Sequence, residues 1–467
     1  KTVTTPLVVG DIDGKPVDLL IKKSYAEGLS PAEYWVASDE SRGLVIKGQL
    51  GTAEPGDVSK ILANTANRQV ISSEDCGTKN GLRMAANDPQ VVGRYLARNQ
   101  PHGNRNTEID SRLTTSVLRA DKSAHFFVRS PMTCEAHEGV CSYCQGMMNN
   151  GRRMSIGENA GLRSAQALSE PLTQMALSSK HGVALVQGSS QMPRGLKGLR
   201  QFLEAPKSFA YKAIVSDENG TVRSIRKAPQ GGHYVTVELK EHYVGPDLKI
   251  KVKVGDRLEK GDVLSEGMPH PGEIVEYKGL GAGRKYLADQ VHNIYEDSGI
   301  SVDKRNIENL VVNSLGHVRV EEAPTASGLL PGDVINQGRV AKVLDGQGEK
   351  IPLAKAKGRV IVENYLHHVA GTVITDAMIR DFTASGITVV NVSPEKGGFQ
   401  FSPFMTSITR SPLLNDNWLN KLGHRYLRST VMGAAHAGEY AETAGYAPMA
   451  AYTRGGTSFG KGKDGRY

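Results

Sequence analysis

Three of the four cysteines in the sequence lie within residues 133–144, TCEAHEGVCSYC. Cys141 and Cys144 form a C-x2-C pair, a spacing that lets two thiolates converge on one ion through a tight turn. Cys134 lies six intervening residues upstream of Cys141. A structural zinc site needs four tetrahedral ligands, usually cysteine or histidine, so one ligand must come from outside these three.

The fourth ligand has two candidates, His137 inside the cluster and Cys76 far upstream. We favour Cys76, because this choice leaves no unpaired thiol in the chain. The competing interpretations are ordinary buried cysteines or disulfides, and a reducing cytoplasm disfavours the latter. The spacing therefore predicts a structural zinc site that joins distant segments, and such a site does not by itself imply catalysis.

Residues 156–205 have the composition of two helical arms around a flexible loop. A helix is predicted over residues 156–168, Pro171 should end or bend it, and a second helix should run from Leu172 to about Lys180. A glycine-rich loop follows, and helical periodicity resumes near Gly195. Both a mobile lid and a plain helical hairpin would have this sequence pattern. The local sequence alone favours the plain hairpin.

Composition limits the class of protein. The 467 residues suffice for two to four domains, and the apolar content of 39% is ordinary for a globular protein. No apolar run reaches membrane-spanning length and no signal pattern opens the sequence, which predicts a cytoplasmic protein. The net charge of +8 and the pI near 9.1 favour an anionic partner such as nucleic acid.

Four segments resemble those of one known family, and they follow one another in the same order as in that family. These segments are SEDCGT at 73–78, VVGRYLA at 91–97, VRSPMTC at 128–134 and GVCSYC at 139–144. They are similar to the C-terminal half of the β′ subunit of multisubunit, bacterial-type DNA-directed RNA polymerase. The resemblance implies that Cys76, Cys134, Cys141 and Cys144 hold a structural Zn²⁺, and it leaves His137 outside the ligand set.

The resemblance also identifies the helical arms with the family's trigger loop, a helix–loop–helix that folds over the incoming nucleoside triphosphate. It implies that His181 lies near the triphosphate, where it assists positioning or protonates the leaving group. Gln174 matches the family pattern, and Leu177 would pack on the nucleobase. A phosphate-contacting arginine of the family is replaced here by Ser178, and Lys180 is the neighbouring positive charge.

Residues 24–34, SYAEGLSPAEY, resemble the approach to the family's bridge helix, which crosses the active cleft. Residues 40–64 take the place of that helix and contain several residues that weaken helices. We expect a break or kink near Pro55. Arg42, Lys47 and Lys60 are the candidates to contact nucleic acid, with solvated surface charges as the alternative.

The implied reaction is nucleotidyl transfer, in which the RNA 3′-hydroxyl attacks the α-phosphate of a nucleoside triphosphate and pyrophosphate leaves. The family's aspartate loop for catalytic Mg²⁺ is not in the sequence, and Asp11-Ile-Asp13 is predicted to be a hairpin turn. We therefore expect the Mg²⁺ to be held by a partner chain that resembles the β′ N-terminal part. The other expected partners are β-like subunits, a promoter-specificity factor, template DNA, product RNA and the nucleotides.

The predicted fold is an α+β multidomain chain. Its expected parts are a bridge-helix-like region, a zinc-binding module, a trigger-loop region, a β-rich module of small barrel or sandwich type with a helix pair, a second β-rich module, and C-terminal clamp-base helices with a basic tail. Their predicted bounds are 1–65, 66–150, 151–206, 207–325, 326–406 and 407–467. The resemblance to β′ begins just ahead of the bridge helix, and the motifs have diverged from the family pattern. This combination resembles the split polymerases of large bacteriophages, and a processed or truncated cellular subunit is the alternative. A phage subunit would act in the bacterial cytoplasm or be packaged in the virion.

Overall fold

Ten segments of the chain are described by the computed structural model, namely residues 21, 23–50, 53–136, 139–178, 195–206, 211–324, 327–394, 398–414, 418–422 and 426–439. Within them the chain is a mixture of helices and small sheets, as the α+β prediction requires. The helices are α1 (Pro31–Leu50), α2 (Ala53–Ala66), α3 (Ser111–Ala120), α4 (Ser142–Gln145), α5 (Ala160–Ser178), α6 (Gly195–Glu204), α7 (Pro271–Lys278), α8 (Leu280–Asp297), α9 (Lys304–Ser314), α10 (Gln337–Leu344), α11 (Asp376–Ala384), α12 (Trp418–Lys421) and α13 (Leu427–Ala437).

The strands form five small sheets in the described residues. The strands are β1 (Ile71–Ser73), β2 (Leu82–Ala85), β3 (His125–Val128), β4 (Val140–Cys141), β5 (Gly220–Lys227), β6 (His233–Val237), β7 (Lys240–Val244), β8 (Arg257–Leu258), β9 (His317–Glu322), β10 (Val334–Asn336), β11 (Glu349–Pro352), β12 (Val389–Val392) and β13 (Gln400–Phe404). The largest sheet has the order β7-β6-β5-β8, is antiparallel and lies within the stretch 207–325 that is predicted to be β-rich. Strands β9 to β13 form one three-stranded sheet, β10-β9-β13, and one two-stranded sheet, β11-β12. Helices α10 and α11 lie between these strands in sequence, so residues 326–400 contain more helix than the sequence predicts.

The main hydrophobic core joins helices that are far apart in sequence. It includes residues from α2, α5, α6, α8 and α9, and one face of α5 contributes Ala165, Leu168, Leu172 and Met175. Their spacing of three and four residues places them along one stripe of a helix, which is why this helix buries one side. The core therefore fixes α5 against α2 and α9.

Helix α5 is continuous through Pro171, so the predicted end of the helix at this proline is wrong, and the alternative prediction of a bend there stays a prediction. A proline inside a helix removes one N–H donor and crowds the carbonyl four residues earlier. The buried Tyr295 hydroxyl donates to the Leu168 carbonyl at 2.8 Å, which gives a carbonyl near the proline a partner from another helix. The helix also begins later than predicted, because the Asn159 side chain accepts the Leu162 N–H at 2.8 Å and acts as an N-cap.

Pro55 does not lie in the middle of a long helix. It is buried in the first turn of α2, where a proline costs little because the first N–H groups of a helix lack intrahelical partners. Helices are assigned on both sides of residues 51 and 52, which lie outside the described residues. The predicted interruption of the helix near Pro55 stays a prediction, and Pro55 itself has helical backbone.

Helix α8, the first helix of the predicted pair, begins within the glycine-rich stretch 279–283. A Cβ on Gly281 would lie 2.1 Å from the His367 carbonyl oxygen, and one on Gly283 would lie 2.3 Å from Val275 Cγ2. The glycines therefore permit close packing of a helix and do not form a phosphate-binding loop. The predicted second helix of this pair is α9, and Asp303 caps its N-terminus.

A fully buried ion pair connects the segment after β2 to α9. The Arg94 guanidinium donates to both Glu308 carboxylate oxygens, at 2.9 and 2.6 Å, and both side chains are 0% exposed. The Ser130 hydroxyl donates to Glu308 Oε2 at 2.6 Å. Burial of a charge is tolerated only when it is paired and hydrogen-bonded, so this interaction fixes the relative position of the two segments.

We expect Glu308→Ala to lower the free energy of unfolding by about 3–5 kcal/mol, because the Arg94 charge would remain buried without a partner. Denaturant-induced unfolding followed by circular dichroism would measure the change. The control is Glu241→Ala, which removes the exposed Arg226–Glu241 pair and should cost about 1 kcal/mol or less. Equal effects of the two substitutions would contradict the assigned importance of the buried pair.

Candidate metal centre

The four cysteines come together where β1 and β4 lie side by side. These two short strands are parallel, and Ser73 at the end of β1 is opposite Cys141 at the end of β4. Cys76 follows β1, and Cys144 lies in the short helix α4 immediately after β4. Cys134 follows a 3-10 helix, Pro131–Thr133. Four separate positions of the chain therefore converge on one point.

The sulfur positions fit a tetrahedral metal site. All four Sγ atoms lie within 4.8 Å of one another, and the Cys76 and Cys144 sulfurs are 3.8 Å apart. A tetrahedron with zinc–sulfur bonds of about 2.3 Å has sulfur–sulfur edges of about 3.8 Å. The arrangement is therefore compatible with one Zn²⁺ bound by the four cysteines.

Four thiols this close cannot all ionise unless a cation offsets their mutual repulsion. Hydrogen bonding with the sulfurs of Cys134 and Cys144 lowers the pKa of the Cys141 thiol to about 7. Burial raises the pKa of the Cys144 thiol well above its ordinary value. A bound divalent cation removes this conflict, because it stabilises every thiolate at once.

Backbone and side-chain donors are directed at the sulfurs. The Cys141 N–H donates to Cys134 Sγ and the Cys144 N–H donates to Cys141 Sγ, both at 3.3 Å. Arg129, which is 0% exposed, donates to the sulfurs of Cys76, Cys141 and Cys144 at 3.2 to 3.4 Å. Four thiolates and one Zn²⁺ carry a net charge of −2, so this arginine supplies part of the neutralising charge.

Arg129 is held in turn by acceptors outside the cluster. Its Nη1 donates to Asn106 Oδ1 and to Asp75 Oδ1, each at 2.7 Å. Burial opposes ionisation of Asp75, but hydrogen bonds from the Gly77 N–H, Asn106 and Arg129 outweigh it and lower the Asp75 pKa to about 2. The guanidinium is therefore fixed in orientation by a carboxylate that stays ionised at neutral pH.

Gly139 allows the turn before β4 to approach β1. Its φ is +65°, and a Cβ at this position would lie 2.1 Å from the Val70 carbonyl oxygen. Val70 accepts the Val140 N–H at 3.0 Å, so the contact is part of the pairing that aligns Cys141. Only glycine fits both the backbone conformation and the available space.

The other predicted site residues are placed as follows. Arg42 on α1 and Lys60 on α2 are exposed. Gln174 and Leu177 belong to the backbone of α5, and Lys47 to that of α1, but their side chains lie outside the described part of the chain. His137, Lys180 and His181 also lie outside the described residues.

Arg129 is a residue of the site that the sequence does not predict. Arg129 lies five residues before Cys134 in the sequence, where no spacing rule for metal ligands applies. Its contact with three sulfurs depends on the pairing of β2 with β3, which brings this segment back to the cluster. An arginine between a strand and a Ser-Pro turn carries no local signal of such a role.

Comparison with known proteins identifies relatives of the chain. Residues 28–232 match the family described as RNA polymerase Rpb1, domain 5. The DNA-directed RNA polymerase subunit beta′ of Chloroflexus aurantiacus is 30% identical over 410 residues, covering 70% of this chain and 27% of the relative. The subunit beta′ of Lysinibacillus sphaericus is 28% identical over 406 residues, covering 79% and 32%, respectively. That of Staphylococcus saprophyticus is 29% identical over 348 residues, covering 69% and 28%.

The chain therefore spans roughly a quarter to a third of the length of these relatives. Within the described residues, no helix combines the length and the apolar character needed to cross a bilayer.

We expect Cys76→Ser to abolish tight zinc binding at this centre, because a serine hydroxyl is a poor ligand for Zn²⁺ beside three thiolates. Metal analysis after gel filtration should show about one zinc fewer per chain, and the thermal unfolding midpoint should fall. The control is Lys79→Ser, an exposed position in the same loop, which should leave both measurements unchanged. Zinc content that is identical in the two variants would exclude Cys76 as a ligand.

We expect Gly139→Ala to weaken zinc retention, because the added Cβ would force β1 and β4 apart. The matched control is Gly77→Ala, which has a similar φ of +80° but no atom within 4 Å of the added Cβ. This control should lower stability by about 1–2 kcal/mol through backbone strain alone and keep its zinc. Release of zinc to a chromogenic chelator would distinguish the variants, and equal release rates would refute the steric argument.

Proposed function

Because the chain belongs to the β′ family of DNA-directed RNA polymerase, as a C-terminal portion of that subunit, we propose that it works as one subunit of a DNA-dependent RNA polymerase. The observation that carries the proposal is the similarity to beta′ subunits over 69–79% of the chain. The reaction of the complex would be transfer of nucleotides from nucleoside triphosphates to the RNA 3′ end on a DNA template.

The cysteine cluster is proposed to hold a structural Zn²⁺ through Cys76, Cys134, Cys141 and Cys144. The four sulfurs enclose a tetrahedral site, and no ligand position is left open for substrate once all four bind. The metal would therefore hold the loops after β1 and β4 in place and would take no part in the reaction.

Helices α5 and α6 are proposed to be the two arms of the trigger loop. Their neighbouring ends lie close together, since a Cβ on Gly195 would be 3.5 Å from Met175 Cγ. Residues 179–194, which contain His181, connect these two ends in the sequence and lie outside the described residues. A connection of this kind suits a segment that folds over a bound nucleotide.

His181 is proposed to position the triphosphate or to protonate the leaving pyrophosphate. Leu177 would pack on the nucleobase and Gln174 would belong to the same catalytic segment. Ser178 cannot supply the positive charge of the arginine found in the family, and Lys180 is the nearest cation in sequence. The phosphate contact would accordingly be weaker than in the family or would come from another chain.

Helices α1 and α2 are proposed to occupy the place of the bridge helix. Helix α2 packs directly against α5, because a Cβ on Gly161 would lie 1.7 Å from the Ala66 carbonyl oxygen. Movement of one helix would therefore be transmitted to the other. Arg42, Lys47 and Lys60 are proposed to contact nucleic-acid phosphates, for which the exposure of Arg42 and Lys60 is a necessary condition.

The catalytic Mg²⁺ is proposed to be held by aspartates outside these 467 residues, on a chain that resembles the β′ N-terminal part. Bound Mg²⁺ would stabilise the attacking and leaving oxygens of the transferred phosphoryl group. The β-like subunits, a promoter-specificity factor, DNA and RNA complete the proposed complex. We also propose that the chain comes from a large bacteriophage, because its motifs have diverged from the family pattern. It would then act in the bacterial cytoplasm or be packaged in the virion.

We expect His181→Ala to slow nucleotide addition by about 10²-fold, and by no more than about 10⁴-fold, because one positioned acid contributes at most this much. Rapid-quench measurement of single-nucleotide addition by the complex, purified with its natural partners, would give the rate. His125→Ala is the matched control, since His125 is an exposed histidine on β3 far from the proposed lid in sequence.

An unchanged addition rate in an assembled His181→Ala complex would reject the catalytic role of this residue. That result would favour the alternative function, a zinc-stabilised subunit that serves in assembly or binds nucleic acid. The replacement of the family arginine by Ser178 is a sequence feature that favours this alternative. Failure of the chain to copurify with any polymerase subunit would reject the proposed function as a whole.

A further inference from the structure

Among the described residues, a second cluster of metal-ligating side chains lies outside the cysteine centre. It consists of His367 and His368, in a tight turn after β11, and Asp381 on α11. One ligand atom from each of the three residues lies within 4.8 Å of the other two. The turn is closed by hydrogen bonds between Tyr365 and His368 in both directions, at 3.0 and 2.8 Å.

His368 is buried, and its ring nitrogens make no hydrogen bond of ordinary length to any described residue. The residue is 4% exposed, and neither ring nitrogen has a hydrogen-bond partner in the described structure. The separation between its Nε2 and Asp381 Oδ2 is 3.6 Å, which is longer than a hydrogen bond. A buried imidazole whose nitrogens lack hydrogen bonds is costly, so an ion between Nε2 and the Asp381 carboxylate would relieve this deficit.

The distance between the two atoms suits a shared ion better than a direct bond. Ligands of a tetrahedral ion at about 2.0–2.1 Å lie about 3.3–3.5 Å apart, close to the observed separation. Asp381 is exposed, which leaves a path from solvent and room for water in the remaining coordination positions. Two imidazoles and one carboxylate are a donor set that divalent transition-metal ions prefer.

We propose that His367, His368 and Asp381 form a second metal site, which binds a divalent transition-metal ion such as Zn²⁺ with water completing its coordination. The site is separate from the cysteine centre and independent of the proposed function. One positive charge, the exposed Lys285 on α8, lies near enough to interact with His367 and Asp381. Its flexible side chain can extend into solvent when a cation binds.

The bound ion would join α11 to a loop that already contacts the cysteine-bearing region. Asn80 donates to the Asn364 carbonyl at 2.8 Å and accepts the Leu366 N–H at 3.0 Å. The same Asn80 side chain also donates to Glu135, the residue after Cys134. Through these Asn80 contacts, the second site would fix α11 relative to the loop that contains Asn80 and to the residue after Cys134.

Metal titration of the full chain, purified with its natural partners and with the cysteine centre loaded with zinc, tests the proposal. The probe is Co²⁺, whose absorption distinguishes nitrogen and oxygen ligands from thiolates. We expect one further equivalent of Co²⁺ to bind without thiolate charge-transfer absorption. Asp381→Asn should weaken this binding by at least about tenfold, and His368→Gln should do the same.

Two further variants keep the test independent of folding defects. Lys285→Gln retains all three ligands and removes the nearby positive charge, so it should tighten Co²⁺ binding severalfold. His436→Gln, at an exposed histidine on α13, should have no effect. Absence of a further Co²⁺ equivalent, or equal affinity in wild-type and Asp381→Asn complexes, would overturn the proposal. Neither result depends on whether the complex synthesises RNA.

Discussion

The convergence of four sulfurs on one point is the constraint on which the rest of this part of the structure depends. The cluster cannot carry four negative charges in a buried place without a cation, and Arg129 alone supplies one positive charge. Its neighbour Ser130 donates to Glu308, which is paired with Arg94 inside the core. A direct chain of polar contacts therefore connects the candidate metal centre to α9, and α9 packs against α5. The position of the proposed lid arm is thus linked to the integrity of the cysteine centre.

Much of the site was predictable because its residues carry a local signal. The C-x2-C pair with a third cysteine nearby favours a zinc site, and Cys76 is preferred over His137 because this choice leaves no thiol unpaired. The apolar stripe of α5 and the alternating residues of β5 to β7 likewise follow from periodicity alone. The family resemblance supplied what periodicity could not, namely the identity of the arms as a trigger loop, and that assignment remains a proposal.

Other features depend on contacts between distant segments and were not predictable from local pattern. Pro171 ordinarily ends a helix, but α5 continues through it, with core residues Leu168, Leu172 and Met175 buried on both sides of the proline. Gly281 and Gly283 have no role that the local sequence indicates. They are needed because a side chain at either position would collide with His367 or Val275. The cluster of His367, His368 and Asp381 unites a turn and a helix whose sequence spacing matches no metal motif. In each case tertiary packing overrode the local preference.

The separation of Arg94 from Glu308 also has a consequence for biosynthesis. The two residues are 214 positions apart, so the partner of Arg94 does not yet exist when the first half of the chain leaves the ribosome. At about 5–20 residues per second, the arginine waits on the order of 10–40 s for its carboxylate. During that time the Arg94 guanidinium stays hydrated, and the core around it is incomplete. Completion of this region therefore waits for the synthesis of α9, and a nascent chain that stalls before α9 leaves the Arg94 guanidinium without its carboxylate.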